Sequence, residues 1–155
     1  MQTGDFSGGC QCGAVRFSAT RLGRPSICHC RMCQKATGNF FAPLVTVYAE
    51  DFQWTRGAPH WFRSSAHIRR GFCSDCGTPL AYEHPQGLEI TIGAFDQAAD
   101  IEPQVQVNRD CALPWIEALF DKPTVSQSVD AASIVSFQHP DHDTLKWPPE
   151  VFSHV

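Results

Sequence analysis

The cysteines are the residues of this chain whose number and spacing most clearly predict chemistry. Seven of the eight lie in short clusters, and Cys111 stands apart. We call the clusters the N-terminal pair (Cys10 and Cys12), the triplet (Cys28, Cys30 and Cys33) and the C-terminal pair (Cys73 and Cys76). Thiolates at such short spacings are preferred ligands of zinc, because neighbouring sulfurs can converge on one ion. The clusters therefore predict zinc binding.

The seven clustered thiols can be divided between zinc sites in two ways. In the first, Cys30 and Cys33 join the C-terminal pair in a four-cysteine site, which leaves three cysteines without a role. In the second, the N-terminal and C-terminal pairs form the four-cysteine site, and the triplet is a separate unit. Each pair is flanked by glycine, which permits the tight turn that brings two sulfurs to one ion. The second division leaves fewer thiols unused.

The triplet can hold a second zinc ion with three protein ligands and one free coordination position. Catalytic zinc sites commonly have this arrangement, in which the ion polarises an oxygen or lowers the pKa of a bound group. Two other interpretations remain open on the spacings alone. Cys111 can complete the site as a fourth, structural ligand, or the triplet can be free of metal and take part in thiol redox chemistry.

The elements that must position these cysteines are predicted to be mostly β-strands. Alternating apolar residues dominate the first two-thirds of the chain, with short connections, and this pattern is typical of a mainly antiparallel β domain. A short helix is predicted after Cys30, ending at Gly38, and single helical turns are predicted at 49–52 and 95–100. The predicted strands are 14–19, 40–48, 60–64, 78–82, 88–95 and 104–108.

The length of 155 residues fits one domain, 1–155, with enough chain to bury a core. The pattern weakens after Trp115, and residues 116–155 are polar and rich in turn-forming residues. We expect this C-terminal extension to be an irregular segment that wraps the domain. It contains the sequence HPDHD, from His139 to Asp143, which combines metal-ligand residues with residues that favour turns.

Charge and hydropathy exclude some classes of function. Twelve basic residues against sixteen acidic ones give a net charge of −4, which argues against a large nucleic-acid interface. No apolar run is long enough to cross a bilayer, and no secretory signal is recognisable, so a cytoplasmic location without membrane contact is expected. Thiols stay reduced in that compartment, which favours metal ligation over disulfides.

Several segments resemble the glutathione-dependent formaldehyde-activating enzyme family, which also includes centromere protein V. All seven clustered cysteines fall in register with the family pattern, and the similar part of the chain is about 8–115. The matching segments are GGCQCGAVRF, CHCRMCQKATG, RRGFCSDCGTPLAY, ITIGAFD and the LPW that ends at Trp115.

The resemblance implies an antiparallel β-tent fold built around a structural zinc, and it selects the second division of the cysteines. The N-terminal and C-terminal pairs then hold the structural zinc, and Cys28, Cys30 and Cys33 hold a catalytic zinc, so that each chain binds two ions. The implied activity joins glutathione to formaldehyde as S-hydroxymethylglutathione, which is formally a carbon–sulfur lyase reaction run in reverse. The alternative is a non-catalytic, zinc-scaffolded binding module.

The implied chemistry places a demand on the charges around the triplet. Three thiolates on Zn²⁺ leave a net charge of −1, and a glutathione thiolate would make it −2, so nearby cations are needed. Lys35, Arg69 and Arg70 are the candidates, and the two arginines can also bind a glutathione carboxylate. Many relatives carry a histidine where this chain reads Gln106-Val107-Asn108. The partners that the resemblance implies are a small thiol such as glutathione and an aldehyde.

Overall fold

The computed structural model of the chain describes residues 1–126 and 134–147. Apart from the helix α1, Arg31–Thr37, the regular elements of these residues are strands and single 3₁₀ turns. The turns are Ala49–Asp51, Ile92–Ala94, Ala98–Asp100, Arg109–Cys111 and Ile116–Ala118. The strands are β1 Gln2–Gly9, β2 Arg16–Cys28, β3 Ala42–Val47, β4 Phe52–Arg56, β5 His60–Arg63, β6 Arg69–Phe72, β7 Pro79–His84, β8 Gly87–Thr91 and β9 Val105–Val107.

One long strand, β2, organises the sheet that these nine strands form within the described residues. The main path runs β1-β2-β3-β8-β7-β6-β5, and β4 and β9 also pair with β2. The first half of β2 pairs with β4, and its second half pairs with β3 and, in parallel, with β9. The other pairs are antiparallel, which confirms the predicted mainly antiparallel β fold.

An irregularity in the middle of β2 separates its two halves. The register between β2 and β3 shifts between Leu22 and Pro25. A side chain at Gly23 would lie 2.8 Å from the Cβ atom of Thr46, so only glycine fits there without displacing the neighbouring strand. Such bulges bend a strand, and this one allows the same strand to serve two groups of partners.

The main core is built around Phe17 of β2, which is fully buried. Its ring lies 4.9 Å from the ring of Phe95, 5.6 Å from Phe52 and 5.9 Å from Trp54, measured between centroids. Burying a phenylalanine of this kind contributes about 1.5–3 kcal/mol, and each edge-to-face pair about 0.5–1.5 kcal/mol more. Cys10 and Cys73 belong to the same core cluster, so the core fixes the four-cysteine group.

The predicted short helix is confirmed as α1, and its ends explain its length. Cys30 is the N-cap, and its sulfur accepts a hydrogen bond from the backbone N–H of Cys33. Gly38 ends the helix in the left-handed conformation, with φ of +62°, which glycine adopts at no steric cost. About two turns of helix therefore carry Cys33 and hold Cys30 at their start.

The strand predicted at 88–95 is too long at its C-terminal end. β8 stops at Thr91, and the chain then forms the 3₁₀ turn Ile92–Ala94, closed by a hydrogen bond from Phe95 N–H to the Ile92 carbonyl. The apolar residues of this segment are buried because the turn packs against the core, and not because a strand continues. Buried apolar residues in a turn look like a continuing strand in the sequence, and for this reason the predicted strand extended too far.

The C-terminal extension is irregular in its described parts, as predicted. His139 of the extension lies against the turn of the N-terminal pair, where its N–H donates to the Gln11 carbonyl over 2.7 Å. Residues 127–133 and 148–155 of the extension lie outside the described residues. No helix in the described ranges has both the length and the apolar character needed to span a bilayer.

Candidate metal centres

The structure gathers the clustered cysteines into two groups. The sulfurs of the N-terminal and C-terminal pairs lie within 4.8 Å of one another, and so do the three sulfurs of the triplet. All eight cysteines are free thiols. The grouping is the one in the second division of the cysteines, and each group could hold a metal ion.

The sulfur spacing in the four-cysteine group suits zinc. Cys10 Sγ lies 3.5 Å from Cys12 Sγ, and Cys12 Sγ lies 3.7 Å from Cys73 Sγ. Four sulfurs placed tetrahedrally at a zinc–sulfur distance of about 2.3 Å are separated by about 3.8 Å. The observed separations are close to that value, so the donors are already arranged for a tetrahedral ion.

Two similar turns present the two pairs. Gly13 N–H donates to the Cys10 carbonyl over 3.0 Å, and Gly77 N–H donates to the Cys73 carbonyl over 2.9 Å. Both glycines have positive φ, +73° and +76°, a conformation that side chains other than glycine rarely adopt. The glycines flanking the pairs in the sequence are therefore required by the turns that direct the sulfurs inward.

The surroundings of the four-cysteine group raise the pKa of some of its thiols and lower the pKa of another. Burial raises the pKa of Cys10 and of Cys12. Burial also opposes ionisation of Cys76, but hydrogen bonds from the Thr78 hydroxyl and backbone outweigh it and lower the pKa of Cys76 to about 6. A cation in the group would be needed to keep all four sulfurs ionised, because it stabilises the thiolate form.

The triplet lies where β2 meets α1. Cys28 is the last residue of β2, Cys30 caps the helix, and Cys33 lies in its first turn. Cys28 and Cys33 are buried, whereas Cys30 is half-buried. The strand end and the helix start therefore bring the sulfurs together, and Cys30 is the most open of the three.

Two side chains from distant parts of the chain donate to triplet sulfurs. Arg70 Nη2 on β6 lies 3.4 Å from Cys33 Sγ, and Asn108 Nδ2, just after β9, lies 3.4 Å from Cys28 Sγ. Burial raises the pKa of Cys33 to about 12, although Arg70 acts in the opposite direction. The pKa of Cys30 is lowered, because the Cys33 N–H bond and neighbouring donors outweigh burial.

The triplet has three protein donors, and Cys111 does not make a fourth. The Cys111 side chain is exposed, and its sulfur lies 3.8 Å from Asp110 Oδ2. Among the described residues, no further cysteine, histidine or carboxylate joins the triplet within 4.8 Å. His29, between two of the triplet cysteines, is buried, and its Nε2 atom lies 2.9 Å from Gln106 Oε1. The fourth coordination position of an ion held here would be left to a ligand.

A cavity of about 530 Å³ opens over the triplet. Its volume is within the range of about 300–1,000 Å³ that is usual for small-molecule sites. The triplet cysteines line it, together with charged side chains of both signs, Arg24, Arg70 and Glu89. Burial raises the pKa of Glu89, whereas Arg24 and His84 act to lower it. Arg24 and Glu89 were not predicted from the sequence, since only the pairing of β2, β3 and β8 brings them beside the cysteines.

The three predicted cations lie in different places. Arg69 is on the surface, paired with Glu83 and stacked on Trp61. Lys35 is exposed on α1 and lines a separate, mainly apolar cavity of about 550 Å³. Arg70 lines both cavities and is the one that contacts a triplet sulfur.

The HPDHD tract of the C-terminal extension has a packing role in the structure. His139 is buried, with its Nε2 atom 3.0 Å from Thr144 Oγ1, and Asp143 pairs with Arg16 over 2.7 Å. The tract does not belong to either group of metal-ligand side chains found in the described residues. A side chain at Gly13 would collide with His139, which lies directly over the turn of the N-terminal pair.

Comparison with known proteins identifies the fold and the family of the chain. The chain resembles the crystal structure of a Rhodobacter sphaeroides protein with a TM-score of 0.53 and 18% identity, over 65% of this chain and 99% of that one. That likeness supports the fold. Residues 5–110, which include both cysteine groups, match the family described as glutathione-dependent formaldehyde-activating enzyme. The chain belongs to the glutathione-dependent formaldehyde-activating enzyme family.

Proposed function

We propose that this protein is an enzyme that joins glutathione to formaldehyde, or acts on a related adduct of a thiol and an aldehyde, at a zinc ion held by the triplet. The observation that carries the proposal is a set of three converging thiols that line a cavity of about 530 Å³, without a fourth protein ligand among the described residues. Family membership supports the same substrates.

The donors suit the proposed ion. Cys28, Cys30 and Cys33 would hold it, because three soft sulfurs at such short separations favour zinc. When bound, zinc lowers the pKa of a thiol, so that a substrate thiol is held as the nucleophilic thiolate near neutral pH. The N-terminal and C-terminal pairs would hold the second ion, whose role is structural.

The cavity residues would bind and orient the thiol substrate. Glutathione carries two carboxylates and one ammonium group, and the cavity offers the guanidinium of Arg24 and the carboxylate of Glu89. Charges of both signs fit a zwitterionic peptide better than a simple anion. Fixing this substrate above the triplet places its sulfur beside the aldehyde, and such positioning lowers the entropic part of the barrier.

The proposed reaction needs no oxidant or reductant. The glutathione sulfur forms a bond with the carbonyl carbon, and the π bond of the carbonyl breaks, so that the carbon–oxygen bond becomes a single bond. The proton lost by the thiol is taken up by the former carbonyl oxygen. The product is a hydroxymethyl thioether, and the reverse reaction is a carbon–sulfur bond cleavage, which is why we assign a lyase-type activity.

Replacing Cys30 by serine tests the proposal. Cys30 is the most open triplet ligand, so Cys30→Ser should lose one of two zinc ions and glutathione-dependent formaldehyde consumption, while circular dichroism shows the sheet intact. Cys111→Ser is the matched control for zinc content: that thiol lines the same cavity but is exposed and outside both groups, so the variant should keep both ions. Full activity in Cys30→Ser, or unfolding of the whole chain, would contradict a catalytic triplet.

A further inference from the structure

Arg70 is a buried cation whose guanidinium contacts the triplet. Only 9% of its surface is exposed. Its Nη2 atom lies 3.4 Å from Cys33 Sγ, and its Nε atom donates to Ser64 Oγ over 3.1 Å. The guanidinium carbon lies 4.9 Å from the centre of the Tyr82 ring. A hydroxyl, an aromatic face and a sulfur thus surround this charge.

Among the residues that the structure describes, no carboxylate forms an ion pair with Arg70. Within residues 1–126 and 134–147, the arginines that form ion pairs with carboxylates are Arg16, Arg21, Arg69 and Arg109. A buried cation is strongly unfavourable unless a negative charge accompanies it, and an aromatic face compensates only part of the loss of hydration. The sulfur of Cys33 is therefore the group positioned to supply the negative charge.

The charges of the proposed site balance when Arg70 is included. Three thiolates on Zn²⁺ carry a net charge of −1, and the guanidinium brings the total to zero. A substrate thiolate that joins the ion would then raise the total to −1 instead of −2. Arg70 thus reduces the repulsion that a second anion would meet.

We propose that Arg70 is a positioning residue that neutralises the metal–thiolate group and holds Cys33 in its ligating orientation. This inference rests on the proposed function, since it requires an ion at the triplet. It gives Arg70 a role different from binding a substrate carboxylate. The neighbouring Arg69, on the other face of β6 and already paired with Glu83, has no such role.

Three variants test separately the charge of Arg70, its hydrogen bonding, and the effect of any substitution on strand β6. Arg70→Met removes the charge while keeping a long side chain, and Arg70→Lys keeps the charge but loses the planar donor. Arg69→Met is the matched control on the adjacent, exposed position. Zinc affinity is measured by competition with a chelator on the full chain, and the cobalt-substituted protein reports thiolate-to-metal absorption.

We expect Arg70→Met to bind the triplet ion about 10- to 100-fold more weakly than the native chain, as is typical when a residue supporting a metal ligand is lost. Its thiolate-to-cobalt band should shift, Arg70→Lys should recover part of the affinity, and Arg69→Met should match the native chain. Ser64→Ala, which removes the partner of Arg70 Nε, should show a smaller effect in the same direction and serves if Arg70→Met does not fold.

Two results would overturn the inference, and they are distinguishable. If the native chain binds two ions and Arg70→Met leaves the zinc affinity and the cobalt absorption unchanged, only the role of Arg70 is rejected. A native chain that binds only one ion under all conditions would reject this role together with the proposed function.

Discussion

Asn108 is a residue whose backbone conformation and side-chain contact are linked. It is the one non-glycine residue in the described ranges with positive φ, at +52°, and its amide lies 3.4 Å from Cys28 Sγ. Asparagine tolerates the left-handed region better than most residues, but the conformation is still less favourable than an ordinary one. Asparagine therefore combines a tolerated left-handed backbone with an amide that contacts a triplet sulfur.

Two substitutions at Asn108 should separate the backbone from the amide. Asn108→Gly accepts the conformation, so we expect the free energy of unfolding to stay within about 0.5 kcal/mol of the native value. Asn108→Ala should lower it by about 1 kcal/mol, because alanine is strained there. Both should release the triplet zinc to a chelator more readily, which elemental analysis measures. Equal zinc retention in the native chain and both variants would show that the amide does not support Cys28.

At the scale of elements, β2 and the C-terminal extension are joined by a buried arginine. Arg16 of β2 is 3% exposed and binds Asp96 over 2.5 Å and Asp143 of the extension over 2.7 Å. Asp96 is 4% exposed, whereas Asp143 is 59% exposed. The first pair lies inside the protein, and the second lies at its surface and attaches the extension.

The two carboxylates should contribute unequally to stability. Asp96→Asn leaves a buried cation with one partner, so we expect a loss of about 3–5 kcal/mol in the free energy of unfolding. Asp143→Asn, the matched control on the same arginine, should lose about 0–1 kcal/mol, because exposed ion pairs are weak. Urea unfolding at pH 7 measures both. Equal losses would contradict the assignment of the buried pair.

The contribution of the Asp96 carboxylate to the free energy of unfolding should also depend on pH. Burial opposes its ionisation, but hydrogen bonds from Arg16 and Ser7 outweigh burial and lower the pKa of Asp96. A lowered pKa stabilises the folded chain above the unfolded value of about 3.9, and this contribution disappears as the pH falls through the folded value. The difference in the free energy of unfolding between the native chain and Asp96→Asn should therefore become smaller below about pH 4.

Elements differed in how well the sequence predicted them. The helix after Cys30 was predictable because a cap and a terminal glycine bound it. β2 was predicted only as far as residue 19, since Gly23 and Pro25 are typical of a turn. Its continuation to Cys28 depends on pairing with β3 and β9, and such tertiary pairing overrides local preference. β1 and β6 were not predicted, because both contain glycine and few apolar residues and also depend on pairing with neighbouring strands.

At the scale of the whole molecule, the four-cysteine group brings together two turns that are far apart in the sequence. It joins the turn before β2 to the turn between β6 and β7, and Cys12 and Cys73 are 61 positions apart. The cysteine spacing allowed two divisions of the seven thiols, and the resemblance to the family selected the one that contains this group. The cavity was not predictable in the same way, because Arg24, Glu89 and Asn108 become neighbours only in the folded sheet.

Loss of one ligand from the four-cysteine group should affect the whole chain. Structural zinc contributes an apparent binding energy of about 10–16 kcal/mol in small domains, so Cys76→Ser should abolish cooperative folding. Circular dichroism and urea unfolding measure the change. Cys30→Ser is the matched variant in the triplet and should unfold like the native chain. A native-like unfolding midpoint for Cys76→Ser would contradict a structural ion.

The most direct test of the account is the anomalous electron density of crystals measured at the zinc absorption edge. We predict two peaks per chain, one inside the four-cysteine group and one at Cys28, Cys30 and Cys33 with a fourth ligand that is not part of the polypeptide. A single peak, or a triplet ion whose fourth ligand is a side chain of this protein such as Cys111, would contradict an open zinc site that acts on a thiol.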